Sequence, residues 1–297
     1  MKIIDAHHHF WNVSSDKYTW LADQSLDLLW GKPVDLLRTY LPNDMRMDVG
    51  PFEPSKSVHV QSFRDPADPV EESRWLQSLA DDPDSGGFPH AIVAFADFTS
   101  PEIDETLSQH CEYKNLRGIR QILNRHPNKM WHMSEQDYMQ DRTWLKNYGL
   151  LEAHNLSFDL QIFYHQVSDA IKLAQHFPNI PIILNHAGMP ADRDPENIEA
   201  WRSAIKQLAE CDNVMAKISG LGMCDHRWTP KSIRPFVIDV IEAFGVDCCM
   251  FGSNFPVDSL FSDYATVWKA YDTITTDFSE DERAKLFHDN AERYYRI

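Results

Sequence analysis

Short runs that are apolar, or that alternate apolar with polar residues, recur along the whole chain at 2–10, 57–63, 90–98, 116–123, 156–165, 181–187, 213–221 and 248–256. Runs of this length bounded by turn residues predict β-strands. Between most of them, apolar positions recur three and four residues apart over 70–81, 102–113, 140–155, 168–177, 195–211 and 229–244, the spacing of a helix with one buried face. Thr229 and Pro230 supply an N-cap and a first-turn proline to the last of these. Two more helices follow at 262–276 and 279–295, the second opened by a Ser279/Glu282 capping box. Strand then helix, repeated eight times, predicts an α/β fold of the (β/α)₈ TIM-barrel type with extra C-terminal helices, and residues 1–297 as a single domain. A doubly wound open sheet would carry a glycine-rich phosphate turn after an early strand, and the turn after Phe10 has none. The segment 11–56 is rich in Trp, Tyr and Leu. It reads as a structured loop over the C-terminal end of the first strand, the end where barrels place their active sites.

Composition narrows the partners. A formal charge of −17 argues against nucleic acid and against an anionic membrane, because phosphate binding needs clustered Lys and Arg. A small molecule fits better, and an anionic one would need a local cationic pocket. With 43% hydrophobic residues and nine Trp, the chain has material for a large core or for a homo-oligomer interface, and the sequence does not choose between them. The start of the chain lacks a charged segment followed by an apolar one, no apolar run reaches membrane-spanning length, and the five cysteines lack CxxC spacing. These features predict no secretion signal, reduced thiols and a cytoplasmic protein.

The candidate chemistry is histidine-rich. Strand alternation places Asp5, His7 and His9 on one face and His8 on the other, toward the helices. A His-x-His pair at a strand exit is half of a divalent-metal site or a pair of polarising groups; as core residues, two inward imidazoles would need partners that an apolar core lacks. His186 leaves the sixth run beside a glycine and a proline, in the same layer. Arg120, in the fourth run, is expected to meet a carboxylate, an oxyanion or an ion-pair partner on a neighbouring strand. Lys217 and Ser219 share a face of the seventh run, and His59 and Gln61 share one of the second; each pair lines a pocket or packs. Asn254 shares a face with Gly252 in the eighth run, with Asp258 just beyond. His126 after the fourth strand, and Tyr18 and Trp20 from the first loop, are within reach of a substrate. His165 ends the fifth run, where alternation sends inward either it or Tyr164.

Together, Ile4-Asp-Ala-His-His-His-Phe-Trp11, Leu184-Asn-His-Ala-Gly188, Lys217-Ile-Ser-Gly220, Gly252-Ser-Asn-Phe-Pro256 and Asn290-Ala-Glu-Arg-Tyr294 resemble the amidohydrolase superfamily. They are most similar to its amidohydrolase-related branch of sugar lactonases and pyrone-dicarboxylate lactonase. The resemblance runs along essentially the whole chain. It implies a hydrolase that opens the lactone of a sugar acid or related small carboxylic acid. His7 and His9 match the first-strand pair, which binds metal in many relatives and polarises the carbonyl in metal-free ones. His186 matches the sixth-strand histidine and Arg120 the arginine that holds substrate oxygens. The eighth-strand position is normally a water-activating aspartate, and here it is Asn254. Asparagine orients a water but accepts no proton at neutral pH, so the base falls to His186, His165 or Asp258. Losing a negative ligand also favours a site that needs no cofactor, with zinc on His7, His9 and His186 as the alternative. Two other readings remain: a metal-dependent decarboxylase of an aromatic or muconate-type acid, and a barrel that binds a small acid without turning it over.

Overall fold

The computed structural model describes residues 1–15, 17–65 and 67–297. Its strands are β1 (Ile4–His8), β2 (Lys56–Val60), β3 (Ala91–Ala94), β4 (Leu116–Ile119), β5 (Ser157–Leu160), β6 (Ile182–Leu184), β7 (Val214–Ile218) and β8 (Cys249–Phe251). They form one sheet in sequence order with every pairing parallel. Closure comes just past the ends of β1 and β8, where the His9 N–H donates to the Phe255 carbonyl at 2.7 Å and the Asn254 N–H to the His7 carbonyl at 2.7 Å. Each strand is shorter than the run that predicts it. Residues such as Arg120, His186 and Asn254 leave the ladder at its C-terminal end and form the barrel mouth.

Helices at Pro69–Asp81, Ile103–His110, Val167–His176, Pro195–Leu208, Pro230–Phe244 and Tyr264–Ile274 pack a large apolar layer against the outer strand faces, with Leu76, Leu107, Phe158, Trp201 and Trp268 fully buried. The region expected as one helix at 140–155 is two short helices, Arg142–Tyr148 and Leu150–Ala153. The last helix is likewise interrupted, a π-turn at Lys285–Asp289 separating Glu280–Ala284 from Asn290–Tyr295. The expected caps form: Thr229 accepts from the Ser232 N–H at 3.1 Å, and Ser279 and Glu282 cap each other. Inside the barrel Ile4, Ala6, Val58, Val93, Ile183 and Met250 make a second cluster, joined by Tyr295 from the terminal helix.

One expectation fails in β1. Its register runs from Asp5 opposite Ser57 to His8 opposite His59, so one extra residue is inserted between them. A bulge of this kind breaks strict alternation. Ala6 therefore joins the inner cluster. Asp5 does not share a face with His7 and His9: it turns to the Ser253 N–H (2.9 Å), the Ser253 hydroxyl (2.6 Å) and the Tyr264 hydroxyl (3.1 Å). The described residues of segment 11–56 are structured as expected, with Trp11 and Tyr40 exchanging backbone hydrogen bonds and short helices at Thr19–Ala22, Pro33–Leu36 and Pro42–Asp48.

Candidate active site

A cavity of about 450 Å³ opens at the C-terminal mouth of the barrel. Of the residues singled out from sequence, His9, Gln61, Arg120, His186, Asn254 and Trp20 line it. Trp20 comes from the short helix Thr19–Ala22, and each of the others leaves the C-terminal end of a strand. His9 Nδ1 lies 2.7 Å from the Val60 carbonyl of β2. A carbonyl only accepts, so Nδ1 carries the proton and the neutral ring presents a lone pair at Nε2. Burial, with the nearby Arg120 charge, holds the His9 pKa well below the usual histidine value. Nε2 is 3.4 Å from Asn254 Oδ1.

Asn254 is in the left-handed backbone region, φ 58°, which asparagine tolerates better than most residues. That turn carries its side chain from the end of β8 over the mouth. Its amide donates to Asp258 Oδ2 at 2.5 Å. Burial pushes the Asp258 carboxyl up to about 7. His186 and Ala187 are also left-handed, φ 54° and 53°. They swing the His186 ring over the mouth, where Nδ1 meets the Ser219 hydroxyl at 2.9 Å. Arg120 is 4% exposed and gives Nη1 to Gln161 Oε1 (2.8 Å) and Nη2 to the Gln61 carbonyl (2.7 Å). Burial lowers its pKa to about 10, which leaves it cationic at neutral pH. Arg120 Nε and Gln61 Nε2 have no hydrogen-bond partner among the described residues.

Other residues singled out from sequence lie elsewhere. His7 sits beneath the cavity, its ring 4.4 Å from that of His186 and 5.1 Å from that of His9, with neither nitrogen partnered among the described residues. Asp258 lies behind Asn254 and does not line the cavity. Lys217 does not reach it either. Its ammonium pairs with Asp159 at 2.6 Å, 4.8 Å from the centre of the Tyr295 ring, and Asp159 also accepts from Asn185 (2.9 Å) and Tyr295 (3.0 Å). Its neighbour Ser219 reaches His186 instead. Tyr18 is buried against Arg64 and Trp75. His59 accepts the Phe10 N–H at 3.0 Å and packs below the lining. His126 and His165 flank Asp192, at 2.9 and 3.4 Å. Tyr164 gives its hydroxyl to Asn197 at 2.5 Å rather than to the barrel. The sequence reading missed Gln161 and Phe163, although both alternate with buried Asp159, and it missed the wall residues Trp11, Trp30 and Trp131, which follow no strand or helix period.

The family resembled often holds a divalent ion at the first-strand pair. Among the described residues, one group of His, Cys, Asp or Glu brings three donor atoms within 4.8 Å of one another, and it is His126, His165 and Asp192. His7, His9 and His186 do not converge in this way, and Asn254 supplies no charge. As placed, they do not fit the metal. The other group is a hydrogen-bond chain: His126 Nδ1 accepts the Asn128 N–H at 3.0 Å, so a neutral ring carries its proton on the nitrogen facing Asp192 and has no lone pair there for a cation.

Comparison with known proteins bears on the family and the fold. The chain is 44% identical over 296 residues to the uncharacterized protein y4mH of Sinorhizobium fredii, covering 99% of this chain and 98% of that one. It is 28% identical over 306 residues to an L-fucono-1,5-lactonase of Burkholderia ambifaria, covering 99% and 95%. A crystal structure of a Burkholderia multivorans amidohydrolase with bound HEPES superposes with a TM-score of 0.83 at 25% identity, covering all of both chains. The amidohydrolase family model matches residues 4–297, and with the barrel and its histidine-lined mouth this shows that the chain belongs to the amidohydrolase family.

Proposed function

We propose that this hydrolase opens a lactone of a small carboxylic acid. The carrying observation is that two acceptors, His9 Nε2 and Asn254 Oδ1, stand 3.4 Å apart on the cavity wall. A water that donates one hydrogen to each presents its oxygen lone pair to a carbonyl in the cavity. As the oxygen adds, its proton passes to His9 Nε2, and the carbonyl π electrons become the oxyanion. Buried, cationic Arg120 lines the same cavity and favours that charge, the electrostatic effect that usually dominates acyl transfer. Collapse of the adduct breaks the ring C–O bond, and the departing alkoxide takes the proton back from His9. The product is a hydroxy acid.

His9, held neutral by burial, is a weak base. That suits an activated ester better than an amide or a urea. The L-fucono-1,5-lactonase relative supports lactone chemistry in this family. A pH-indicator assay over a panel of aldono-, urono-, alkyl- and aryl-lactones, on protein treated with a chelator and on untreated protein, tests it. Acid release that survives chelation is expected. No release from any lactone sinks the proposal, and loss of turnover together with bound zinc would make the histidines ligands.

A further inference from the structure

Resting on the lactone reading, we infer that the substrate's acyl part carries an apolar substituent, an alkyl chain or an aryl ring, rather than the hydroxyls of a sugar acid. The cavity's polar groups are unevenly available. On the residues that end barrel strands, those still open to a ligand are His9 Nε2, His186 Nε2, Asn254 Oδ1, Arg120 Nε, Gln61 Nε2 and Gln161 Nε2. Several polar groups of the walls are already engaged within the protein. Trp11 Nε1 donates to the Arg38 carbonyl at 2.7 Å and Trp20 Nε1 to the Ser62 carbonyl at 2.8 Å, so both indoles turn carbon toward the cavity. Ser134 gives its hydroxyl to the Gln136 carbonyl at 2.6 Å, and His132 Nε2 is on the His126 carbonyl. The Gln161 oxygen is engaged by Arg120. Glu135 is the one carboxylate of the lining among the described residues, and it is exposed.

Above the strand ends the surface is mainly carbon, from Trp11, Trp30, Trp131, Leu28, Phe163 and Met133. A cavity of about 450 Å³ has room for a lactone ring and a substituent of similar size. A sugar hydroxyl pressed against those walls loses water and finds no partner, which costs roughly tenfold in affinity for each one. A methylene there gains about fourfold. The sequence pattern agrees: Trp11 to Trp30 come from the loop over β1, and Trp131 and Met133 from the segment after β4. Two separate insertions bring apolar residues to one chamber.

The test separates the substituent from the chemistry. Tryptophan fluorescence is titrated with 5-hydroxyalkanoates from pentanoate to undecanoate, the acids a δ-alkyl lactone would yield, and with aldonates as the hydroxylated series. The expected result is affinity that rises about fourfold per methylene until the cavity is full, with aldonates weak. Leu28→Asn is expected to flatten that slope. Met133→Gln, at a position 37% exposed where folding is not at stake, provides the same readout if the first variant does not fold. A flat slope with tight aldonate binding overturns the inference. Hydrolysis of the same lactones is then read independently. A steep slope without turnover keeps the apolar substituent and removes the lactonase reading, whereas turnover of sugar lactones alone keeps the lactonase reading and removes the substituent.

Discussion

The Asn254 amide donates to Asp258 Oδ2 across 2.5 Å while its oxygen faces His9 Nε2 at 3.4 Å, with Asn254 and Asp258 only 1% and 3% exposed. A neutral amide thus links a buried carboxylate to a buried imidazole. Which end of the amide faces the histidine depends on the carboxylate: ionised Asp258 accepts the NH₂ and leaves the oxygen toward His9, whereas protonated Asp258 donates and favours the reversed amide.

That dependence fixes the sign of a pH profile. Reversal places an N–H on His9 Nε2 and occupies the lone pair that takes the water's proton. Burial raises the Asp258 carboxyl to about 7, so kcat/KM is expected to fall as pH drops through about 7 and to level off above it. Asp258→Asn should lower kcat by roughly 10² and remove this limb. A profile of the variant that keeps the same limb would show that another group titrates.

His9→Gln removes the proton acceptor but leaves a side chain able to meet the Val60 carbonyl. Loss of kcat by roughly 10² to 10⁴, with thermal unfolding little changed, is the expected outcome. Wild-type turnover in this variant would assign the base elsewhere.

Gly220 lies against His186. It has φ +61°, and a Cβ there would stand 2.5 Å from His186 Nδ1 and 2.7 Å from Met223 Cε. Gly220→Ala should cost about 1–2 kcal/mol in backbone strain, seen as a lower Tm. It should also break the Ser219 contact and displace the ring, with kcat/KM down roughly tenfold, a loss of about 1.4 kcal/mol in transition-state binding. Unchanged kinetics would mean that His186 does not need its present position.

Lys217 and Asp159 are both fully buried. Breaking such a pair leaves one uncompensated charge, so Lys217→Met is expected to cost about 3–5 kcal/mol in denaturant unfolding, and Lys217→Met with Asp159→Leu much less. If Lys217→Met instead raised KM at unchanged stability, the lysine would be reaching substrate.

The repeat of short apolar runs and helical spacings was sufficient to imply the barrel, because period and length are local properties that packing into a closed sheet then satisfies. The strand-exit residues His9, Arg120, His186 and Asn254 were legible for the same reason: a strand carries its last side chains to the mouth. Tertiary structure decided what local periodicity does not encode. The extra residue in β1 turned Asp5 away from His7, and a buried partner on β5 drew Lys217 below the cavity. His126 and His165 found Asp192, three strands' loops meeting where no sequence spacing relates them. The apolar chamber likewise exists only once the segments around Trp11, Trp30 and Trp131, which follow no secondary-structure period, fold over the same mouth.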